Sequence, residues 1–175
     1  NKHNSDTTKT WKMGINQFSD LTQNSLLAFI LERKKLKPIK NKEEPVNAGF
    51  AGEIDWRNRG IITPVKNQGK CGSCWAFGAT AAHETYQIQF RNQPKTICLS
   101  EQQLVDCSTE QPYGNTGCNG GYAVRALEYI KDFGQTTNES YPYVAVNQEC
   151  KNRSGTFRIY GISEIVDAHK LKTLL

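Results

Sequence analysis

Apolar residues recur at helical spacing in the middle of the chain. The first group lies on one face, at positions i, i+4, i+7 and i+11: Trp75, Ala79, Ala82 and Tyr86. This spacing predicts a helix from Cys74 to about Phe90 that buries the four residues in one stripe.

Two shorter helices are predicted further along the chain. Residues 100–103, Ser-Glu-Gln-Gln, have the pattern of a capping box ahead of an apolar pair, which predicts a short helix from that point. A third helix is predicted over residues 123–133, followed by Gly134 at the position of a left-handed C-cap. Its apolar face has four members: Val124, Leu127, Ile130 and Phe133.

The remaining segments give weaker patterns. A helix capped by Ser19, Asp20 or Thr22 is predicted to continue through an apolar face of Leu27, Ile30 and Leu31. Residues 38–52 are rich in Lys, Glu, Asn, Pro and Gly, and they predict an exposed linker open to proteolysis. Residues 115–121 predict a turn-rich loop, residues 156–160 are strand-like, and another helix is predicted to begin near residue 165.

Composition and charge exclude several classes of protein. With 175 residues, 37% of them hydrophobic, the chain predicts one domain or one domain with an appendage. The longest apolar run, residues 26–31, is too short to cross a bilayer. The first fifty residues carry nine basic and five acidic residues, and this holds most of the net charge of +5. No aromatic residues interrupt the basic run at residues 33–37, so a solvated helix end is favoured over a nucleic-acid site.

The candidate chemistry lies in residues 68–77, Gln-Gly-Lys-Cys-Gly-Ser-Cys-Trp-Ala-Phe. Cys74 stands at the start of the predicted helix, where unpaired amides and the helix dipole favour a thiolate. Gly72 and Ser73 are small enough to let a substrate backbone approach. The Gln68 amide and the Cys74 backbone N–H would give a tetrahedral oxyanion two donors. We therefore predict a nucleophile for acyl transfer rather than a buried structural thiol.

Six segments stand in the order seen in papain-like cysteine peptidases: residues 55–57, 63–69, 71–77, 99–107, 117–122 and 141–143. The string Cys-Gly-Ser-Cys-Trp at residues 71–75 is a signature of that family. The chain resembles the family over most of its length, and its cathepsin L-like branch in particular. Residues 14–20, Gly-Ile-Asn-Gln-Phe-Ser-Asp, resemble the inhibitory pro-region motif of that branch.

The resemblance implies an α+β fold with two lobes, of which this chain holds the mostly helical N-terminal lobe and part of a pro-region. Residues 1–51 correspond to the end of the inhibitory pro-region with its linker, and residues 52–175 to the helical portion of the peptidase domain. The implied function is that of a cysteine endopeptidase zymogen, which hydrolyses peptide bonds through an acyl-enzyme on the cysteine.

The resemblance also assigns individual residues. Cys74 matches the nucleophile and Gln68 the oxyanion-hole glutamine, with Gly72 and Ser73 beside them. Gly72 and Ser73 are also counted among the substrate-binding positions. The others are two glycines that would hydrogen-bond the substrate backbone and two residues that begin the pocket for the second residue before the scissile bond: Gly120, Gly121, Tyr122 and Ala123. The family usually has Pro or Met at the position of Ala123, so a smaller residue there implies a roomier pocket.

The six cysteines divide, by the family pattern, into two disulfides and two thiols. The implied pairs are Cys71 with Cys118 and Cys107 with Cys150, which leaves Cys74 free. Cys98, in the string Thr-Ile-Cys-Leu, is expected to be a buried apolar thiol.

An acylating cysteine needs an imidazole base, and no histidine of this chain fits the role. The family places its His and Asn about 130 to 150 residues after the cysteine, whereas the chain ends 101 residues after Cys74. His3, His83 and His169 all stand at other positions. The chain also opens on polar residues without an initiator methionine or a signal peptide. We expect a chain cut at both ends, with the catalytic His and Asn beyond residue 175 and little activity on its own.

Three other functions stay open. Cys71 and Cys74 could form a redox dithiol, although no strand is predicted before them. Four cysteines could bind zinc, although their spacing lacks a second tight pair: Cys71, Cys74, Cys107 and Cys118. A truncated product or pseudoenzyme could act without catalysis, its pro-segment inhibiting related peptidases.

Cofactor, partner and compartment follow from the same resemblance. No cofactor and no metal are expected. The expected partners are peptide or protein substrates and the chain's own pro-segment in the cleft, with no nucleic acid, no membrane and a monomeric state. Lysosomal, vacuolar or extracellular location through the secretory pathway is expected, compatible with six cysteines and with sequons at Asn138 and Asn152.

Overall fold

The computed structural model describes residues 2–16, 19–20 and 55–162. In these residues it contains three α-helices: α1 (Cys74–Arg91), α2 (Glu101–Cys107) and α3 (Ala123–Phe133). It also contains two 3₁₀ turns, Trp56–Arg59 and Gly117–Asn119. α1 and α3 begin and end within a residue or so of the predicted bounds, and α2 begins where a short helix was predicted, so these predictions are confirmed.

Several predicted features lie outside the described residues. They are the helix through residues 27–31, the linker at residues 38–52, the boundary at residue 51 and the helix near residue 165. Among the residues that are described, no helix combines the length and apolar character needed to cross a bilayer.

The core lies where α1 packs against α2 and α3. Ala76 and Ala79 of α1 meet the fully buried Leu104 of α2 and Ile130 of α3 in one apolar cluster. A smaller cluster of Ile88, Ile97 and Leu99 lies near the end of α1. Because Ala76 and Ala79 lie in the first two turns of α1, this buried packing holds the N-terminal part of the helix in place.

The buried face of α1 is more polar than its spacing predicts. Ala82 is exposed and Tyr86 only half-buried, so the predicted stripe is wrong at Ala82. Four polar side chains are buried on this helix instead: Thr80, His83, Glu84 and Gln87. All four have hydrogen-bond partners on other segments or on each other, which removes most of the cost of burying them. On α3, Val124 is likewise exposed, and Ala126 and Tyr129 are buried instead.

The ends of α2 and α3 depart in detail from their predicted caps. The Ser100 hydroxyl accepts from the Gln103 backbone N–H at 3.0 Å, as in a capping box. The Gln103 side chain, however, does not return to Ser100, because its Oε1 accepts from the Thr136 N–H at 2.7 Å. Gly134 has φ 78° and ψ 176°, so it has a positive φ but not the predicted left-handed helical conformation.

The strand-like residues 156–160 form no strand in the described part of the chain. Instead Phe157 makes an isolated antiparallel bridge with Gln135, and Leu99 makes another with Thr137. These pairings bring the segment after α3 between the start of α2 and the C-terminal part of the described chain.

His83 provides a pH-dependent contribution to stability. Its side chain is fully buried, with Nδ1 2.8 Å from Gln135 Oε1 and Nε2 2.9 Å from Gln87 Nε2. Because an amide oxygen accepts and an amide nitrogen donates, Nδ1 carries the proton and Nε2 accepts. Burial lowers the pKa of His83 below its ordinary value, and the hydrogen bond to Gln135 only partly opposes this.

We expect the chain to lose stability as the pH falls below about 6.5, the value at which histidine in the unfolded chain takes up its proton. The folded state resists protonation of His83 until a lower pH, so acid favours unfolding over that interval. His83→Gln, which cannot take up a proton, should show a shallower loss of the free energy of unfolding between about pH 7 and pH 5. Urea denaturation at several pH values measures this; parallel pH profiles for the two proteins would contradict it.

Candidate active site

Cys74 is the first residue of α1, and its side chain is a free, exposed thiol. Ser73 precedes it as the N-cap residue, and its side chain is fully buried. The Ser73 hydroxyl does not cap the helix, and the Cys74 backbone N–H donates to no residue in the described part of the chain. A free thiol and a backbone N–H without a protein acceptor therefore lie together at the positive end of an 18-residue helix.

One disulfide lies directly before this helix start, and a second joins the end of α2 to residue 150. Cys71 pairs with Cys118 and Cys107 with Cys150, so the pairing implied by the family resemblance is confirmed. The Gly72 N–H also donates to the Cys118 carbonyl at 2.9 Å. The segment before α1 is thus fastened to the 3₁₀ turn Gly117–Asn119. Cys98, in contrast, is exposed, and the expectation of a buried thiol is wrong. Its neighbours Ile97 and Leu99 point into the small core instead.

The Gln68 side chain is held close to the nucleophile's segment. Its Nε2 donates to the Cys71 carbonyl at 2.8 Å, three residues before Cys74. The turn that follows depends on Gly69, whose φ of 59° favours glycine, and the Gly69 N–H donates to the Asn67 side chain at 2.9 Å. The amide predicted to serve an oxyanion is therefore anchored to the same short loop as the thiol.

Tyr143 joins this loop to the helix. Its hydroxyl donates to the Gln68 backbone carbonyl at 2.7 Å and lies 2.6 Å from the Ser73 Oγ. Its ring packs edge-on against Phe77 of α1, with 4.9 Å between the ring centroids. Burial raises the pKa of the Tyr143 hydroxyl, so the group stays protonated as a donor. No role is predicted for Tyr143 from the sequence, although it belongs to one of the segments that carry the family resemblance.

The predicted substrate edge follows the Cys118 disulfide. Gly120 has φ 122°, a conformation that favours glycine, and its carbonyl accepts from the Thr116 N–H at 2.8 Å. A Cβ on Gly121 would lie 2.7 Å from the Trp75 ring of α1, so only glycine fits there. Tyr122 is half-buried and Ala123, the first residue of α3, is exposed. The structure thus brings Gly121 against the residue that follows Cys74, while the binding role of these four residues stays a prediction.

The disulfides bear on two of the other functions. Cys71 is bonded to Cys118 rather than to Cys74, which argues against a Cys71–Cys74 redox pair. Three of the four cysteines considered for zinc are in disulfides, which removes the thiolates that such a site would use.

Comparison with known proteins agrees with this arrangement. Residues 50–173 match the sequence profile of the papain family cysteine proteases. Cathepsin L2 of Homo sapiens is 46% identical to the chain over 144 residues, covering 81% of this chain and 42% of that protein. The chain belongs to the papain family of cysteine proteases. Within that family it is cathepsin L-like.

Two solved structures extend the comparison. Digestive procathepsin L 3 of the Tenebrio molitor larval midgut superimposes with a TM-score of 0.64 and 34% identity, over 83% of this chain and 46% of that one. The Carica candamarcensis cysteine protease CMS1MS2 in complex with E-64 gives 0.54 and 38%, over 62% of this chain and 49% of that one. The papain-like fold is thereby confirmed, and the three helices correspond to its N-terminal lobe. The chain spans less than half the length of each of these three relatives.

Proposed function

We propose that this chain provides the nucleophile side of a cathepsin L-like cysteine endopeptidase. One observation carries the proposal above the others. Cys74 is a free, exposed thiol at the first position of α1. Cys71, only three residues before it, forms a disulfide with Cys118 and not with Cys74. A family that hydrolyses peptides through cysteine has its reactive thiol in such a partly exposed, electropositive place.

In this proposal Cys74 attacks the scissile carbonyl and the resulting oxyanion accepts hydrogen bonds from two donors. One is the backbone N–H of Cys74, and the other is the side-chain amide of Gln68. The Cys74 N–H supports this assignment, because it has no protein acceptor in the described part of the chain. Gly72 offers no side chain that would hinder the approaching substrate.

The substrate's backbone would lie along Gly120 and Gly121, with Tyr122 and Ala123 beginning the pocket for the second residue before the scissile bond. The exposure of Ala123 and the absence of a Cβ at Gly121 support this placement. The imidazole base must come from elsewhere. His83 has both ring nitrogens in buried hydrogen bonds, and the chain covers only 42% of the length of Cathepsin L2. We propose that the base and its orienting asparagine belong to the part of the fold that residues 1–175 do not span.

We further propose synthesis as a zymogen in the secretory pathway, with the segment around residues 14–20 acting as an inhibitory pro-region. Two disulfides support an oxidising compartment, lysosomal, vacuolar or extracellular. The likeness to a digestive procathepsin supports a proenzyme. Peptides and proteins would be the substrates, and a monomer the working form.

E-64, the ligand held by the Carica protease, tests the identity of the nucleophile. We expect it to add once, to Cys74, when the chain is treated without reducing the two disulfides. Cys74→Ser should abolish the adduct, whereas Cys98→Ser removes the other exposed thiol and should leave it unchanged. Intact mass and peptide mapping report both. Adducts on Cys98 instead, or none on Cys74, would contradict the proposal.

A further inference from the structure

The Tyr143 hydroxyl makes two hydrogen bonds to the segment around the thiol, one to Gln68 and one to Ser73. Its hydroxyl has one proton, and the Gln68 carbonyl, 2.7 Å away, can only accept. The tyrosine proton therefore goes to Gln68, and the Ser73 hydroxyl, 2.6 Å away, donates to Tyr143. The other acceptor near the Ser73 hydroxyl, the Cys71 carbonyl, is at 3.4 Å and competes poorly.

The hydrogen bond between the Tyr143 and Ser73 hydroxyls restrains the residue that precedes α1. Serine at an N-cap ordinarily turns its oxygen to the backbone N–H groups of the first turn. Ser73 makes no such cap, because Tyr143 holds its hydroxyl in the opposite direction. The Cys74 N–H has no protein acceptor in the described part of the chain because it is the first N–H of the helix, which a capping hydroxyl does not reach. What the bond to Tyr143 restrains is Ser73, whose peptide bond carries the Cys74 N–H. The same tyrosine fixes the backbone of Gln68, whose side chain is tied to Cys71.

We propose that Tyr143 is a positioning residue for the oxyanion site. It holds both donors of that site in place, the Gln68 amide through its backbone and the Cys74 N–H through Ser73. It touches neither the thiol nor the substrate. This inference rests on the proposed function of Cys74 and Gln68, and it adds a residue some seventy positions away in sequence.

Two probes separate positioning from general reactivity. A dipeptide aldehyde, acetyl-phenylalanyl-glycinal, adds to the thiol: an S–C bond forms, the carbonyl π bond opens and the oxygen takes the thiol proton. This adduct uses the oxyanion donors. With 2,2′-dipyridyl disulfide the sulfur forms a mixed disulfide and expels thiopyridine, which takes the proton, so no oxyanion forms. All proteins carry Cys98→Ser, which leaves Cys74 as the free thiol.

Tyr143→Phe should weaken aldehyde binding roughly tenfold, a part of the roughly hundredfold loss expected for Gln68→Ala, and leave the rate with dipyridyl disulfide unchanged. In a Gln68→Ala background, Tyr143→Phe should weaken binding less than about threefold, because most of its effect passes through Gln68. Tyr113→Phe loses a 2.6 Å hydrogen bond to Asp132 of α3 and should alter neither probe. Isothermal titration and stopped-flow absorbance measure the two reactions.

Equal aldehyde affinity in wild type and Tyr143→Phe would overturn the inference and leave the proposed function intact. If Tyr143→Phe lowered the aldehyde affinity and the rate with dipyridyl disulfide by the same factor, the inference would be overturned too, because that result would show a general structural effect. If the Cys98→Ser protein with Gln68 intact bound the aldehyde no more tightly than the Gln68→Ala variant, the proposed function would be overturned instead. Should Tyr143→Phe fail to fold, Ser73→Ala removes the other end of the hydroxyl chain, and it is expected to weaken the aldehyde adduct about threefold. No weakening there would also overturn the inference.

Discussion

Lys66→Met is expected to lower the free energy of unfolding by about 3 to 5 kcal/mol, because it leaves two buried carboxylates without their cation. The Lys66 Nζ lies 2.7 Å from Glu84 Oε1 and 2.7 Å from Glu101 Oε1. Both carboxylates are buried, one on α1 and one at the first position of α2. Burial acts to lower the pKa of Lys66, but the hydrogen bonds to Glu101 and Glu84 outweigh it and raise that pKa overall.

The cluster joins three segments, which is why its loss should be costly. Besides Lys66, Glu84 accepts from the Thr63 hydroxyl at 2.6 Å and from the Leu99 backbone N–H at 2.8 Å. The loop before the nucleophile, α1 and the approach to α2 therefore meet at one carboxylate. Removing the cation alone should lower the free energy of unfolding more than removing the cation together with one carboxylate, because the penalty comes from the unpaired buried charge.

Urea denaturation of Lys66→Met measures the effect. Lys131→Met, at an exposed position of α3, is the matched control and should change stability by less than about 0.5 kcal/mol. Adding Glu101→Gln to Lys66→Met should restore part of the loss. A change below about 1 kcal/mol for Lys66→Met, or no recovery in the double variant, would show that the cluster does not hold these segments together.

Gly155→Ala is expected to destabilise the chain by about 3 kcal/mol, through a clash that the backbone cannot relieve. An added Cβ would lie 2.0 Å from the Gln135 carbonyl carbon and 2.4 Å from its oxygen. The Gly155 N–H donates to the Phe133 carbonyl at 2.9 Å, and Phe157 exchanges two hydrogen bonds with Gln135. Separation of the two segments would break these bonds and disturb Gln135, which holds His83 and Thr80.

Gly78→Ala provides the control for the same chemical change. Gly78 lies on the exposed side of α1, and a Cβ there meets no atom within 4 Å. Because alanine is a better helix former, we expect this variant to gain about 0.5 to 1 kcal/mol. The thermal and urea unfolding midpoints should therefore rise for Gly78→Ala and fall for Gly155→Ala. A shift of the same sign and size in both would contradict the crowding of Gly155.

Local sequence pattern predicts the helices well and their environment poorly. The spacing of apolar residues placed α1 and α3 correctly because that spacing depends on neighbouring positions alone. It did not predict the burial of His83, Glu84 and Gln87, whose partners lie on segments far away in sequence. A polar residue on a helix is ordinarily exposed, so only the tertiary structure shows that these are satisfied.

The sequence likewise predicts some features of the candidate site and misses others. A compact string of residues predicted Cys74 and Gln68, and the family pattern predicted both disulfides. Neither could assign Tyr143 a role, since its two hydrogen bonds cross seventy residues or more. The exposure of Cys98 was missed because its apolar neighbours Ile97 and Leu99 turn inward while the thiol between them turns outward.

We expect the sulfur of Cys74, at the start of α1, to react faster than an ordinary exposed thiol, and the chain contains its own reference in Cys98. Competitive alkylation by iodoacetamide at about pH 5, followed by peptide mapping, gives the ratio of the two rates in one sample. A helix-terminus stabilisation of about 0.3 to 1 kcal/mol predicts that Cys74 reacts about two- to fivefold faster. Equal rates, or faster labelling of Cys98, would contradict it.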